Sequence, residues 1–133
     1  MIRKKVDMLM LRRAIELSWK SDTAYHQVEE VGNPALGQCY VSSRVVQAYF
    51  PEVELAQGEV LAAGKIEKHF WNVFQVNGEF IHVDLTWSQF PVGSKVMNWA
   101  IRDRETYNDS PPTIERVETL LRRVQEVLSS DSK

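Results

Sequence analysis

The chain has 133 residues, of which 44% are hydrophobic and 26% charged, and a formal net charge of −2. That reads as one domain, residues 1–133, with enough chain to bury a sizeable core. The weak charge argues against a general nucleic-acid binder, and no motif that reads RNA or DNA is present. A single cysteine excludes an intrachain disulfide and fits a reducing cytoplasm, so Cys39 must be explained by packing or by chemistry. Arg3-Lys4-Lys5 has the charge of an export-signal start. The apolar run behind it contains Asp7 and stops at Arg12-Arg13, too short and too charged for export or for a membrane span. The expectation is a cytoplasmic protein without membrane or nucleic-acid partners.

Val6 to Lys20 has helical periodicity, with Met8, Leu11, Ile15 and Trp19 on one stripe and Met10, Ala14 and Leu17 beside it. Two adjacent stripes imply a helix covered on more than one side. Ser21-Asp22-Thr23 ends that helix or caps a short successor. Tyr25 to Gly32 is polar and aperiodic, a loop with a solvated His26, and Asn33-Pro34 and Gly37 are turn punctuation before Gln38-Cys39. Cys39 to Phe50 lacks Gly and Pro, and Val45, Val46, Tyr49 and Phe50 form an apolar helical face closed by Pro51. Cys39 then sits in the first turn of a buried helix. Val53 to Leu55 and Val60 to Ala63 read as two short strands separated by Gln57-Gly58, the second ended by Gly64.

Later in the chain, Trp87-Ser88-Gln89-Phe90-Pro91 reads as a loop with large apolar side chains. Val96 to Ile101 fits an edge strand or a helical turn equally well. Asp109-Ser110-Pro111-Pro112-Thr113 is a helix start. The helix behind it carries Ile114, Val117, Leu120, Leu121, Val124 and Leu128 on one face. Glu115, Arg116, Glu118, Arg122, Arg123 and Glu126 form its solvated side, and Ser129 to Lys133 reads as a tail. Met8, Met10 and Met97 read as core fillers.

The most informative stretch runs from His69 to Thr86. Asn77-Gly78 between two runs of β-branched and aromatic residues predicts a hairpin, because a type I′ turn needs φ > 0 at both central positions. Val76 then faces Glu79, and counting outward sets Trp71 opposite Asp84 and His69 opposite Thr86. One face reads Phe70, Asn72, Phe74, Val76, Glu79, Ile81, Val83 and Leu85, mostly core. The more polar face reads His69, Trp71, Val73, Gln75, Phe80, His82, Asp84 and Thr86. His69 and Asp84 become diagonal neighbours, about 7–8 Å apart at the backbone, within reach of a carboxylate–imidazole bond.

Cys39, His69 and Asp84 together make a coherent chemical set. A free thiol is only slightly ionised at neutral pH, so a nucleophilic cysteine needs help. A helix start supplies unpaired N–H groups and the positive dipole end, an imidazolium stabilises a thiolate, and a carboxylate fixes the imidazole's orientation. The Cys39 backbone N–H is an oxyanion donor, with Gln38 and Gln89 as side-chain candidates for a second. Plainer readings stand beside this one. A lone cysteine is often a small buried hydrophobe, and a His–Asp pair across a hairpin is often structural. Trp71 and Trp87 are walls of a cleft or, more simply, core packing. Cys39, His69, His82 and Asp84 also carry the atom types of a zinc site, but its spacing signatures are absent. No cofactor and no metal are implied.

Three blocks carry a family resemblance. Asn33-Pro34-Ala35-Leu36-Gly37-Gln38-Cys39 with Val45-Val46-Gln47-Ala48-Tyr49-Phe50 resembles the opening motif of the small bacterial YunG-like proteins. His69-Phe70-Trp71-Asn72 and Asp84-Leu85-Thr86-Trp87-Ser88-Gln89-Phe90 resemble that family's other two blocks. The likeness covers most of the chain, and its motifs are specific in combination. The family's members have no assigned activity, so it implies no substrate. More distantly, the order Cys, His, Asp on a helix followed by an antiparallel sheet is similar to transglutaminase-like and papain-like enzymes. That likeness implies Cys39 as nucleophile, His69 as general base and acid, and Asp84 as the orienting residue. Tyr40 follows the cysteine where many of those enzymes carry another aromatic residue. The chain is much shorter than most papain-like proteases and shows no obvious second lobe, so the expected substrate is a small amide, a thioester or a protein side chain. The expected fold is α+β: an N-terminal helix, a central cysteine-bearing helix packed on an antiparallel sheet of at least three strands, and a C-terminal helix. The expected function is acyl transfer or hydrolysis through a thioester; the alternatives are a non-catalytic binding module and, behind it, a zinc-binding protein.

Overall fold

A computed structural model describes residues 6–24 and 37–131. The expected loop from Tyr25 to Gly32, His26, the Asn33-Pro34 turn and the basic Arg3-Lys4-Lys5 lie outside these residues. Helix α1 (Met8–Ser18) starts where the Asp7 side chain accepts the Met10 N–H at 2.8 Å. It buries Leu11, Ala14, Ile15 and Ser18. The second stripe is only partly covered: Met8 and Met10 pack against the core, but Leu17 is 60% exposed. A 3-10 turn over Ser21–Thr23 follows. Helix α2 (Cys39–Tyr49) begins at the cysteine and ends one residue before Phe50 and Pro51, as proline sterics require.

Helix α3 (Pro111–Asp131) is capped by Ser110, whose hydroxyl accepts the Thr113 N–H at 3.3 Å. It runs through Asp131, so the expected tail is helical for three of its residues, Ser129, Ser130 and Asp131. Leu120, Val124 and Leu128 of α3 meet Leu11 and Ile15 of α1 and Val41, Val45 and Val46 of α2 in one apolar core. Each such side chain contributes about 1.5–3 kcal/mol on leaving water. Ile114, expected on the same face, is exposed. Arg123, expected on the solvated side, instead pairs with Asp22 at 2.8 Å and ties α3 to the 3-10 turn.

The sheet contains β1 (Glu54–Ala62), β2 (Lys65–Val76), β3 (Glu79–Val83) and β4 (Lys95–Ile101), in the order β3-β2-β1-β4 with all neighbours antiparallel. The fold is therefore α+β. The β2–β3 hairpin has the expected register, Val76 opposite Glu79, and Asn77 and Gly78 have φ of 51° and 81°. A second turn of the same form joins β1 to β2 at Ala63 and Gly64, with φ of 49° and 77°. Residues 95–101 form the edge strand β4 beside β1, and Met97 there is 54% exposed rather than a core filler.

The two short strands expected around Gln57-Gly58 are one continuous strand. Gly58 is required by close approach, not by a turn. A Cβ there would lie 2.2 Å from the Asn98 carbonyl oxygen and 2.7 Å from the Trp71 ring. The sheet also curls. Phe80 on β3 and Trp99 on β4 belong to opposite edges, which a flat sheet would hold roughly 14 Å apart. Their ring centroids are 5.6 Å apart. Curling buries the face of β2 that alternation marks as the more polar one: His69, Trp71 and Val73 are all buried. Among the described residues, no helix is long and apolar enough to cross a membrane.

Candidate active site

The two faces of β2 do different work. Phe70, Asn72 and Phe74 face the helices: Phe70 meets Tyr40 edge to face, the Asn72 amide donates to the Ser43 carbonyl at 3.1 Å, and Phe74 packs on the helical core. His69 and Trp71 face the other way. The Trp71 indole stacks on the His69 imidazole with centroids 5.4 Å apart and planes 27° from parallel. Phe90 and Trp87, from the segment after β3, close edge-on around the same ring at 4.8 and 6.2 Å. His69 is left with 0% exposure, so its two nitrogens must find partners inside the protein.

They do. The ladder between β2 and β3 ends at Asn72 and Val83, and Asp84 is the first residue beyond it. Its Oδ2 lies 2.7 Å from His69 Nε2, while Oδ1 accepts the Thr86 N–H at 3.2 Å. That second bond turns the chain away from the strand, a short Asp-x-Thr turn that holds the carboxylate in place. The Cys39 thiol, at the first position of α2 and half-buried, lies close enough to the same imidazole to raise its pKa. With Nε2 held by Asp84, the nitrogen left for the thiol is Nδ1. Burial lowers the His69 pKa, but the hydrogen bonds and charges of Asp84 and Cys39 outweigh it and push it up to about 9. At neutral pH the ring is an imidazolium whose Nε2 donates to Asp84.

The other expected site residues separate. Gln89 Nε2 sits 3.4 Å from His69 Nδ1 and donates to the Thr86 hydroxyl at 3.1 Å, on the thiol's side of the ring. Gln38 has partners of its own in the turn after α1. Its Oε1 lies 2.8 Å from the Thr23 hydroxyl and its Nε2 donates to the Lys20 carbonyl at 2.9 Å, so it pins the residue before the thiol to the turn after α1. Trp71 is 4% exposed and serves as the floor under His69. His82 is not brought to the thiol and the carboxylate; its Nδ1 accepts the Trp71 indole N–H at 2.9 Å. Among the described residues, no group of three or more His, Cys, Asp or Glu is placed to hold a metal ion.

Several supporting residues escaped the reading of the sequence. Thr86 was findable, because an Asp followed two residues later by Thr is a turn signal. Thr23, Phe90 and Gly58 carry no local signal for what they do. Tyr40 is held through its hydroxyl by Asp109, which Arg44 also contacts at 3.2 Å; burial and the Asp109 carboxylate push its pKa up to about 12. Tyr40 is thus a clamp between α2 and the segment before α3, and it stays protonated at neutral pH.

No curated protein and no solved structure shows a significant match to this chain. The YunG protein family matches residues 7–129, from the cap of α1 to the last turns of α3, and takes in Cys39, His69 and Asp84. The chain belongs to the YunG family.

Proposed function

We propose that this protein is a cysteine-dependent acyl transferase or amidohydrolase that works through a thioester at Cys39. The observation that carries the reading is the imidazole of His69, held at 2.7 Å by Asp84 through Nε2 and close enough to the chain's only thiol for the two to interact. This is the order of groups that transglutaminase-like and papain-like enzymes use. In the first step the Cys39 sulfur attacks the substrate's carbonyl carbon. The His69 imidazolium gives its Nδ1 proton to the leaving amine, alcohol or thiol as the carbon–heteroatom bond breaks. In the second step the now neutral imidazole takes a proton from water or an acceptor amine, which attacks the thioester and returns the thiolate. The Cys39 backbone N–H, at the first position of α2 where no side chain caps the helix, faces the developing oxyanion together with the Gln89 amide. The substrate class is a small amide, a thioester or a protein side chain.

The proposed reaction requires a Cys39 that reacts readily in mildly acidic solution. Iodoacetamide alkylation at pH 6, followed by mass, should run about tenfold to a hundredfold faster in the wild type than in His69→Ala, which lacks the imidazolium beside the sulfur. Electrophilic acyl probes should label Cys39 covalently. Equal rates in the two proteins, with no probe adduct, would leave a binding module on the same scaffold.

A further inference from the structure

His69 is held in plane by something that is itself held. The Trp71 indole under it has one polar atom, Nε1, in an otherwise apolar position, and a buried indole N–H without a partner is unfavourable. That N–H is met by His82 Nδ1 at 2.9 Å. The bond requires His82 to carry its ring proton on Nε2, since Nδ1 accepts. His82 lies on β3, is solvent-exposed, and is steadied by the edge of Trp99 from β4 at 4.7 Å. On the other side of the indole, Gly58 leaves room where any Cβ would strike the Trp71 ring, and Gly58 is the ladder partner of His69. The indole therefore has a bond fixing its rotation and a glycine fixing its depth.

We propose that His82 is a positioning residue for His69, acting through Trp71: its Nδ1 sets the rotation of the indole, and the indole sets the plane in which the imidazole meets both the thiol and Asp84. The inference rests on the acyl-transfer reading for its functional meaning, but its physical content is the orientation of His69.

The test uses His82→Leu, which removes the acceptor, His82→Asn, whose Oδ1 falls where Nδ1 was, and Trp71→Phe, which keeps a ring under His69 but has no N–H. Three quantities are read on the intact protein: the Trp71 indole resonance, the imidazole nitrogen shifts of His69 across pH, and the rate of Cys39 alkylation at pH 6. His82→Leu should move the indole resonance, shift the His69 titration, and slow alkylation about threefold to tenfold, the worth of one such hydrogen bond. Trp71→Phe should do the same to His69 and Cys39, and it keeps the question answerable if His82→Leu does not fold. His82→Asn should restore all three readings toward wild type. Unchanged His69 shifts in both His82→Leu and Trp71→Phe overturn the inference, as does failure of His82→Asn to restore what His82→Leu lost. If the His69 shifts respond while Cys39 is inert in every protein, the positioning stands and the acyl-transfer reading falls.

Discussion

Strand β2 shows two ways of burying a surface. Toward the helices it presents Phe70, Asn72 and Phe74, and behind them lies a core built mainly of valines and leucines. Away from the helices it presents His69 and Trp71 among Trp87, Phe90, Trp99 and His82, and there the buried imidazole and indole each have a hydrogen-bond partner. The first face gains its energy from area and tolerates changes of shape. The second gains little more from area than leucines would, but its hydrogen bonds leave the rings few alternative positions. A thiol waiting at the start of α2 needs that second property, because an imidazole that rocks away from Sγ or from Asp84 cannot carry a proton between them. Stability and orientation are thus assigned to opposite sides of one strand.

The sharpest way to break this comparison is to damage the apolar side alone. Leu120→Ala removes a fully buried side chain from the contact of α3 with α1 and α2. Its unfolding free energy in urea should fall by about 2–5 kcal/mol. The alkylation rate of Cys39 in the folded protein should stay at the wild-type value. A matching drop in that rate would mean that the two sides are mechanically coupled and that orientation is not held locally.

The ring side should instead reveal itself through pH. The folded pKa of His69 is raised from 6.5 to about 9 by Asp84 and Cys39 against the cost of burial. A raised pKa stabilises the folded state fully below about pH 6.5, and that contribution disappears as pH climbs through 9. Its size is of the order of 3 kcal/mol. Urea midpoints measured from pH 6 to pH 9.5 should therefore decline more steeply for the wild type than for His69→Gln. Asp84→Asn should flatten the decline as well. Parallel curves for the three proteins would place the charge elsewhere and remove the imidazolium from the site.

How much of this was legible beforehand follows from the kind of signal each residue carries. Asn77-Gly78 is chemistry specific to one turn, so it yielded the register of β2 on β3 and, through it, the meeting of His69 with Asp84. The start of α3 and the end of α2 were legible for the same reason: Ser110 caps, and Pro51 stops. Gly58 misled because glycine marks turns and close approaches alike, and only the fold tells which. Alternation along β2 correctly assigned residues to faces but could not tell that curling buries both. Gln38 stood next to the thiol in sequence, which says nothing about where a long flexible amide points; Thr23 and Lys20 draw it away. What stayed hidden in each case is long-range closure, which local pattern does not encode.

The two hairpin turns give the gentlest test, because they hold the register that decides which residues share a face. A slip of one residue would exchange the faces of β2 entirely. Both turns put their first residue at φ near 50°, yet one uses Asn77 and the other Ala63. Alanine in the left-handed region costs about 1 kcal/mol, whereas asparagine is accommodated more easily there. Ala63→Asn should therefore stabilise the protein by about 0.5–1 kcal/mol, and Asn77→Ala should destabilise it by about as much. Neither should alter Cys39 alkylation, since a turn of unchanged length keeps His69 opposite Gly58 and Val76 opposite Glu79. Should Asn77→Ala slow alkylation while the protein stays folded, the β2–β3 register would be set by that turn alone. The packing of Asn72 and Phe74 on the helices would then contribute nothing to keeping the faces apart.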